Sequence, residues 1–282
     1  MKLVTFDEFL PGLLQNGHVI DLSPLLNGLG PLDWDEIMPA VIGNFESLRK
    51  DFDSLVESGT GQPLEMVKLR APVPRPSKIA CPVMNFVQDP TDGPIQLDFF
   101  FKSPEAVIGT GDTVTLPRLD ATTYSYEAEL AVVIGKQASN VSADQAMEYV
   151  FGYTGFIDIS GRDVGRPHVN TFLGTSFDTF APMGPCLVTT DEIPHPENLQ
   201  VKLLVNNQVQ QNYSTNILSY GIPDLIEYTS AIFTLHPGDV ITCGTDPRSA
   251  GSLQNGDHVV TEIQGIGEFE VIVCDPLKRN WR

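Results

Sequence analysis

The chain has 282 residues and a formal net charge of −19, with 41% hydrophobic and 19% charged residues. This composition is typical of a soluble globular protein. Nucleic acids and anionic membranes are bound through basic patches, so the strong acidity argues against both as partners. No apolar run approaches the ~18 residues of a membrane helix. Acidic residues stand where a signal peptide would be apolar, and we expect a cytoplasmic protein.

The first 70 residues are expected to form a small separate domain. A short strand is predicted around Val19 to Leu22, and Asn44 can cap a helix whose apolar residues recur at helical spacing. Residues 71–76 are rich in proline, which is typical of a stiff, extended connector. The second domain is therefore predicted to span residues 71–282.

Short strands dominate the pattern beyond this connector. Two helices are expected, one opened by the capping box at Ser142 and ending near Gly152, the other running from Pro223 to about Phe233. Many short strands with few helices favour a mainly β fold of the α+β class, with a twisted β-roll or barrel-like core. The four cysteines have no metal-binding spacing and are interpreted as buried free thiols.

A pair of glutamates opens the most apolar strand of this domain. Glu127 and Glu129 precede the run Leu130 to Ile134, and a strand's period of two places them on one face, about 6.5 Å apart. Asp158 lies between apolar neighbours in another predicted strand. Unpaired buried carboxylates are costly, so a positive partner is expected. Either a hard divalent cation bound by all three acids or structural salt bridges to Arg162, Lys102 or Arg118 would provide it.

Further motifs follow in order along the chain: Gly152-Tyr153-Thr154, Asp158-Ile159-Ser160-Gly161-Arg162-Asp163, Gly174-Thr175-Ser176-Phe177-Asp178, Met183-Gly184-Pro185, Val205-Asn206-Asn207 with Gln211, Leu235-His236-Pro237-Gly238-Asp239 and Gly244-Thr245-Asp246-Pro247. Together with the two-glutamate strand, they resemble the fumarylacetoacetate hydrolase family over roughly residues 76–275. Many ordered matches are more specific than any single motif. The resemblance favours the metal interpretation over salt bridges.

The resemblance implies a mixed β-roll core with a small N-terminal domain and a homodimer. It also implies Mg²⁺, or Mn²⁺ with Ca²⁺ as a further possibility, held by Glu127, Glu129 and Asp158. Members of the family act on 2-oxo acids and 1,3-dicarbonyl compounds, and the cation stabilises negative charge developing on the substrate oxygen. Lys102, Arg162, Thr245 and Gln211 match positions that suggest contacts with a small carboxylic acid substrate. From the residues alone, Lys102 could instead be a surface lysine, Arg162 an ion-pair partner and Thr245 a turn residue.

Two departures from the family pattern affect the expected chemistry. The family's water-activating histidine and glutamate are replaced by Asp89 and Asp92, which become the candidate catalytic residues, although Asp92 could simply form a turn. Thr175 stands where a lysine is usual and supplies a neutral hydroxyl instead of a positive charge.

The simplest expectation is a catabolic metal-dependent enzyme that hydrolyses a C–C bond in an acylpyruvate-type acid. The substitutions leave two alternatives open. One is a lyase or isomerase using the same metal, namely a decarboxylase, dehydratase or tautomerase of a 2-oxo acid. The other is a metal-binding scaffold without catalytic activity.

Overall fold

A computed structural model describes the chain except for residues 58, 60, 88–95, 165–170, 247, 249 and 282 and the side chain of residue 171. The described residues form 17 strands and four α-helices. The helices are α1 (Ile37–Gly43), α2 (Phe45–Glu57), α3 (Thr171–Thr175) and α4 (Ile222–Ile232). The strands are β1 (Lys2–Phe6), β2 (Leu10–Gln15), β3 (His18–Asp21), β4 (Gln62–Pro63), β5 (Leu69–Arg70), β6 (Ile79–Pro82), β7 (Phe99–Lys102), β8 (Val107–Ile108), β9 (Thr113–Thr115), β10 (Thr123–Ile134), β11 (Val150–Arg162), β12 (Ala181–Thr189), β13 (Gln200–Val205), β14 (Gln208–Ser214), β15 (Val240–Thr242), β16 (His258–Ile263) and β17 (Gly267–Cys274).

A large mixed sheet runs through most of the molecule. Its main path has the order β4-β3-β2-β1-β12-β11-β10-β15-β6-β7, with β5 beside β1 and β8 beside β12. The predicted mainly β architecture with few helices is confirmed. The N-terminal strands belong to this same sheet because β1 pairs with β12, where Leu3 lies opposite Leu187. The division into domains at residue 70 stays a prediction, and the sheet itself is continuous across it.

A second sheet of five strands packs against the first and has the order β14-β13-β16-β17-β9. Strands β13 and β14 form a hairpin that turns at Asn206 and Asn207, which both have positive φ. Apolar side chains from both sheets share one core, in which Leu130 of β10, Leu203 of β13 and Phe269 of β17 are almost completely buried. The packing of the two sheets brings side chains of β14 within hydrogen-bond distance of the middle of β10.

One local prediction differs from the structure. The capping box at Ser142 is followed only by a 3₁₀ helix at Ala146–Tyr149, because β11 begins at Val150 and pairs along β10. The proline-rich segment is buried over residues 71–74, and the Thr5 hydroxyl donates a hydrogen bond to the Pro72 carbonyl. The helix expected after Asn44 is present as α2, and the helix expected from Pro223 is present as α4.

The four cysteines are free thiols, and three are buried as predicted, whereas Cys274 is exposed. Across the residues that the structure describes, none of the helices has the length and apolar character needed to cross a membrane.

Candidate metal centre

The pairing of β10 with β11 brings the three predicted acids together. Glu127 lies directly opposite Asp158 in this antiparallel pair, and Glu129 lies opposite Phe156. Directly opposed residues of an antiparallel pair project from the same face, as do residues two apart on one strand. One carboxylate oxygen from each acid therefore lies within 4.8 Å of the others.

Two cationic side chains lie beside these carboxylates. The Lys102 ammonium at the end of β7 donates to Asp158 Oδ1 at 2.6 Å and to the Ile159 carbonyl at 3.0 Å. The Arg162 guanidinium donates to Glu127 Oε1 at 2.6 Å and to the Ser125 hydroxyl at 3.2 Å. The Lys102 pair is fully buried, whereas the Arg162 side chain is 48% exposed. Of the salt bridges considered from the sequence, those of Lys102 and Arg162 therefore exist alongside the carboxylate cluster.

Burial dominates the electrostatics of the two glutamates. Desolvation, followed by the negative charge of Asp158, raises the pKa of Glu127 to about 7 against the opposing effect of Arg162. The same two causes raise the pKa of Glu129 well above its ordinary value. Removing carboxylates from water favours their neutral forms, and a cation bound between them would offset this penalty.

The turn at Gly244 supports Glu129. The Gly244 amide donates a hydrogen bond to Glu129 Oε2. This residue has φ of +93°, and a Cβ added to it would come within 3.0 Å of the Asn85 Cβ. A residue with a side chain would be strained here, so glycine allows the backbone amide to approach the carboxylate.

The carboxylates lie in the wall of a cavity of about 400 Å³. The lining residues are Pro82, Val83, Met84, Asn85, Phe86, Phe100, Glu127, Glu129, Asp158, Ser160, Arg162, Thr175, Gly244 and Thr245. Arg162 and Thr245, both predicted substrate contacts, thus share the cavity with the carboxylates. Thr175 lies there too, with only 4% exposure, and contributes the neutral hydroxyl expected from the sequence.

Two other predicted substrate contacts lie behind the cavity wall. Lys102 is engaged with Asp158, and Gln211 is completely buried, so neither is among the lining residues. The candidate catalytic residues Asp89 and Asp92 lie outside the described part of the chain.

Sequence reasoning did not identify two residues that shape this centre. Asn85 donates to the carbonyls of Tyr220 and Cys243 and accepts from the Tyr220 amide, which ties the segment before residue 88 to the turn at Gly244. Tyr213 donates to the Ala128 carbonyl at 2.7 Å. Asn85 lies shortly before Asp89, in the stretch where the family's water-activating residues are replaced, and this position was the available signal. No local pattern marked Tyr213.

The donor set fits a hard divalent cation. Among the described residues, the group contains three carboxylates and no histidine or cysteine. Mg²⁺ and Mn²⁺ favour oxygen ligands of this kind, and water or substrate oxygens usually complete their coordination. Glu127, Glu129 and Asp158 could therefore hold such an ion at the cavity wall.

Comparison with known proteins agrees with this geometry. Residues 80–274 match the family model described as the C-terminal domain of fumarylacetoacetate hydrolase. The maleylpyruvate hydrolase of Aquipseudomonas alcaligenes is 32% identical over 97% of this chain and 99% of its own length. The oxaloacetate tautomerase YisK of Bacillus subtilis is 40% identical over 72% of each chain.

A solved structure shows the same fold over nearly the whole chain. Maleylpyruvate hydrolase from Sphingobium sp. SYK-6, in complex with manganese(II) ion and pyruvate, superposes with a TM-score of 0.86 at 32% identity. The alignment covers 98% of this chain and 99% of that one. These relatives are named as enzymes, and this chain is an enzyme that belongs to the fumarylacetoacetate hydrolase family.

Proposed function

We propose that this protein is a divalent-metal-dependent hydrolase that cleaves a C–C bond in a small acylpyruvate-type 2-oxo acid. The observation that carries the proposal is the group of three carboxylates within 4.8 Å in a cavity that also contains Arg162 and Thr245. The reaction type is supported by the similarity to maleylpyruvate hydrolases, which extends through the N-terminal strands and covers 97–99% of both chains in one case.

Glu127, Glu129 and Asp158 would hold Mn²⁺ or Mg²⁺. The bound ion would supply Lewis-acid stabilisation of the negative charge that develops on the substrate oxygen. Lys102 orients Asp158 through its 2.6 Å hydrogen bond. Arg162 presents a half-exposed guanidinium to the cavity, where it can bind a substrate carboxylate through charge-assisted hydrogen bonds.

Hydrolysis also requires a group that activates water. Water adds to the acyl carbonyl carbon, the bond from that carbon to the pyruvate methylene breaks, and the methylene carbon takes a proton. The products are pyruvate and a carboxylic acid. Asp89 or Asp92 is our proposed proton carrier, because no histidine is among the described residues that line the cavity.

Tautomerisation of a 2-oxo acid is the second candidate function. The 40% identity to an oxaloacetate tautomerase supports it, although that similarity covers only 72% of the chain. The reaction moves one proton between carbon and oxygen, so a single proton carrier suffices. Decarboxylation and dehydration would use the same carboxylates but have less specific support, and enzymatic relatives argue against a non-catalytic scaffold. A homodimer and a cytoplasmic location remain expectations from the sequence.

The proposal can be tested with purified protein that is stripped by a chelator and reloaded with Mn²⁺ or Mg²⁺. We expect metal-dependent pyruvate release from acylpyruvates, including maleylpyruvate, measured with a coupled lactate dehydrogenase assay. Glu129→Gln should abolish this release. The control Glu262→Gln, in an exposed ion pair with Lys202, should retain it.

Oxaloacetate distinguishes the two candidate functions. Enol-to-keto conversion, followed by ultraviolet absorbance, without pyruvate release from any acylpyruvate would replace the hydrolase proposal with the tautomerase. Equal activity of the stripped and reloaded enzymes would refute metal dependence in either reaction.

A further inference from the structure

The backbone between the two glutamates is held by side chains from the other sheet. Ala128 is completely buried, and its amide donates to Gln211 Oε1 at 2.8 Å. Its carbonyl accepts from the Tyr213 hydroxyl at 2.7 Å. Gln211 and Tyr213 are two residues apart on β14, so they project from the same face of that strand. The backbone amide and carbonyl of Ala128 therefore both have hydrogen-bond partners on β14.

These side chains take the place of a neighbouring strand. On one side β10 pairs with β11 along its whole length, but on the other side β15 pairs only with Ala131, Val132 and Val133. The polar groups of Ala128 lie beyond the end of that shorter pairing. A buried backbone group without a partner is costly, so the contacts from β14 fix the strand where β15 no longer does.

The same two side chains reach the turn of Gly244 and Thr245 in the cavity wall. The Gln211 amide donates to Thr245 Oγ1 and to the Asp246 carbonyl, each at 3.0 Å. The contacts therefore link Ala128 to Thr245 through Gln211, and Ala128 to Gly244 through Tyr213. The Tyr213 hydroxyl also lies 3.3 Å from the carbonyl of Gly244, whose amide binds Glu129.

We propose that Gln211 and Tyr213 are positioning residues, which set the geometry of Glu127 and Glu129 through the Ala128 peptide and orient the Thr245 hydroxyl. This inference rests on the metal site of the proposed function. It assigns Gln211 an indirect role, because its oxygen and its amide group are already engaged with protein groups and it lies outside the cavity lining. A change on β14 should therefore alter metal binding although neither residue is a ligand.

The test compares Tyr213→Phe with Tyr124→Phe as a matched control. Each change removes one tyrosine hydroxyl that donates to a backbone carbonyl, since Tyr124 donates to Leu119 at 2.9 Å. Mn²⁺ affinity is measured by calorimetry, and stability by urea unfolding of the chelator-treated protein. Removing groups that orient metal ligands typically weakens binding by 10- to 100-fold. We expect Tyr213→Phe to raise the Mn²⁺ dissociation constant about tenfold and Tyr124→Phe to leave it unchanged.

Gln211→Met is a second, stronger variant that removes the hydrogen bonds to Ala128, Thr245 and Asp246. If it folds, its loss of Mn²⁺ affinity should equal or exceed that of Tyr213→Phe. A folded Tyr213→Phe protein with wild-type Mn²⁺ affinity would overturn this inference without contradicting the proposed metal site. Absence of Mn²⁺ binding by the wild-type protein would instead overturn the proposed metal site, and this inference with it.

Discussion

Neutralising Glu127 should stabilise the metal-free protein at neutral pH. Glu127 is only 18% exposed, and its pKa is raised to about 7 because burial and Asp158 outweigh the attraction of Arg162. Glu127→Gln replaces the carboxyl with a neutral amide of nearly the same shape. The variant keeps the side-chain volume and removes the buried charge.

The direction of this change in stability follows from proton binding. Between the ordinary pKa of 4.5 and the folded-state value of about 7, the folded protein retains a proton that the unfolded chain has released. The stability contribution of this group is therefore present below about pH 4.5 and lost as the pH rises through about 7. At about 1.4 kcal/mol per pH unit, the full loss is about 3 kcal/mol. Glu127→Gln does not titrate and should avoid this loss.

The assay is urea unfolding of both proteins in the presence of a chelator, at several pH values from about 4.5 to about 8. The free energy of unfolding of the variant should match that of the wild type at the acidic end of this range. At the alkaline end it should exceed the wild-type value by up to about 3 kcal/mol. A difference independent of pH would refute the raised pKa. A variant that becomes less stable than the wild type as pH rises would show that the Arg162 ion pair outweighs burial.

Two further outcomes are expected. Lys102→Met should lower the free energy of unfolding by about 3–5 kcal/mol in urea, because it leaves the buried Asp158 carboxylate without its ammonium partner. Lys202→Met, in an exposed pair, should cost less than about 1 kcal/mol, and equal losses would contradict the burial argument. Calorimetry should show Mn²⁺ affinity falling at least about 100-fold between about pH 8 and about pH 5, since the ion must displace the Glu127 proton and the pKa of Glu129 is raised as well. A Mn²⁺ affinity that stays constant over this pH range would show that Glu127 carries no such proton.

The short-range sequence pattern was sufficient to predict part of the site. Strand periodicity correctly placed Glu127 and Glu129 on one face, and the apolar run after them is a buried strand. Their proximity to Asp158 depends on the register between β10 and β11, which local pattern does not specify. The family resemblance supplied that link. It also drew attention to Lys102 and Gln211, whose engagement within the protein only the tertiary contacts reveal.

Contacts between the sheets could not be predicted from the sequence. Tyr213 and Ala128 are separated by 85 residues and meet because the second sheet packs against the first. No spacing of residues in the sequence predicts such a long-range contact. Similarly, the capping box at Ser142 is a valid local signal, but the long pairing of β11 with β10 begins at Val150 and leaves room only for a 3₁₀ turn.

The most direct test of the central claim is a crystal structure of the protein with Mn²⁺, with the ion located by its anomalous scattering. We predict one strong peak coordinated by carboxylate oxygens of Glu127, Glu129 and Asp158 at the wall of the cavity. A well-occupied Mn²⁺ that is not bounded by these three residues would contradict the account, as would the absence of any peak there at saturating Mn²⁺.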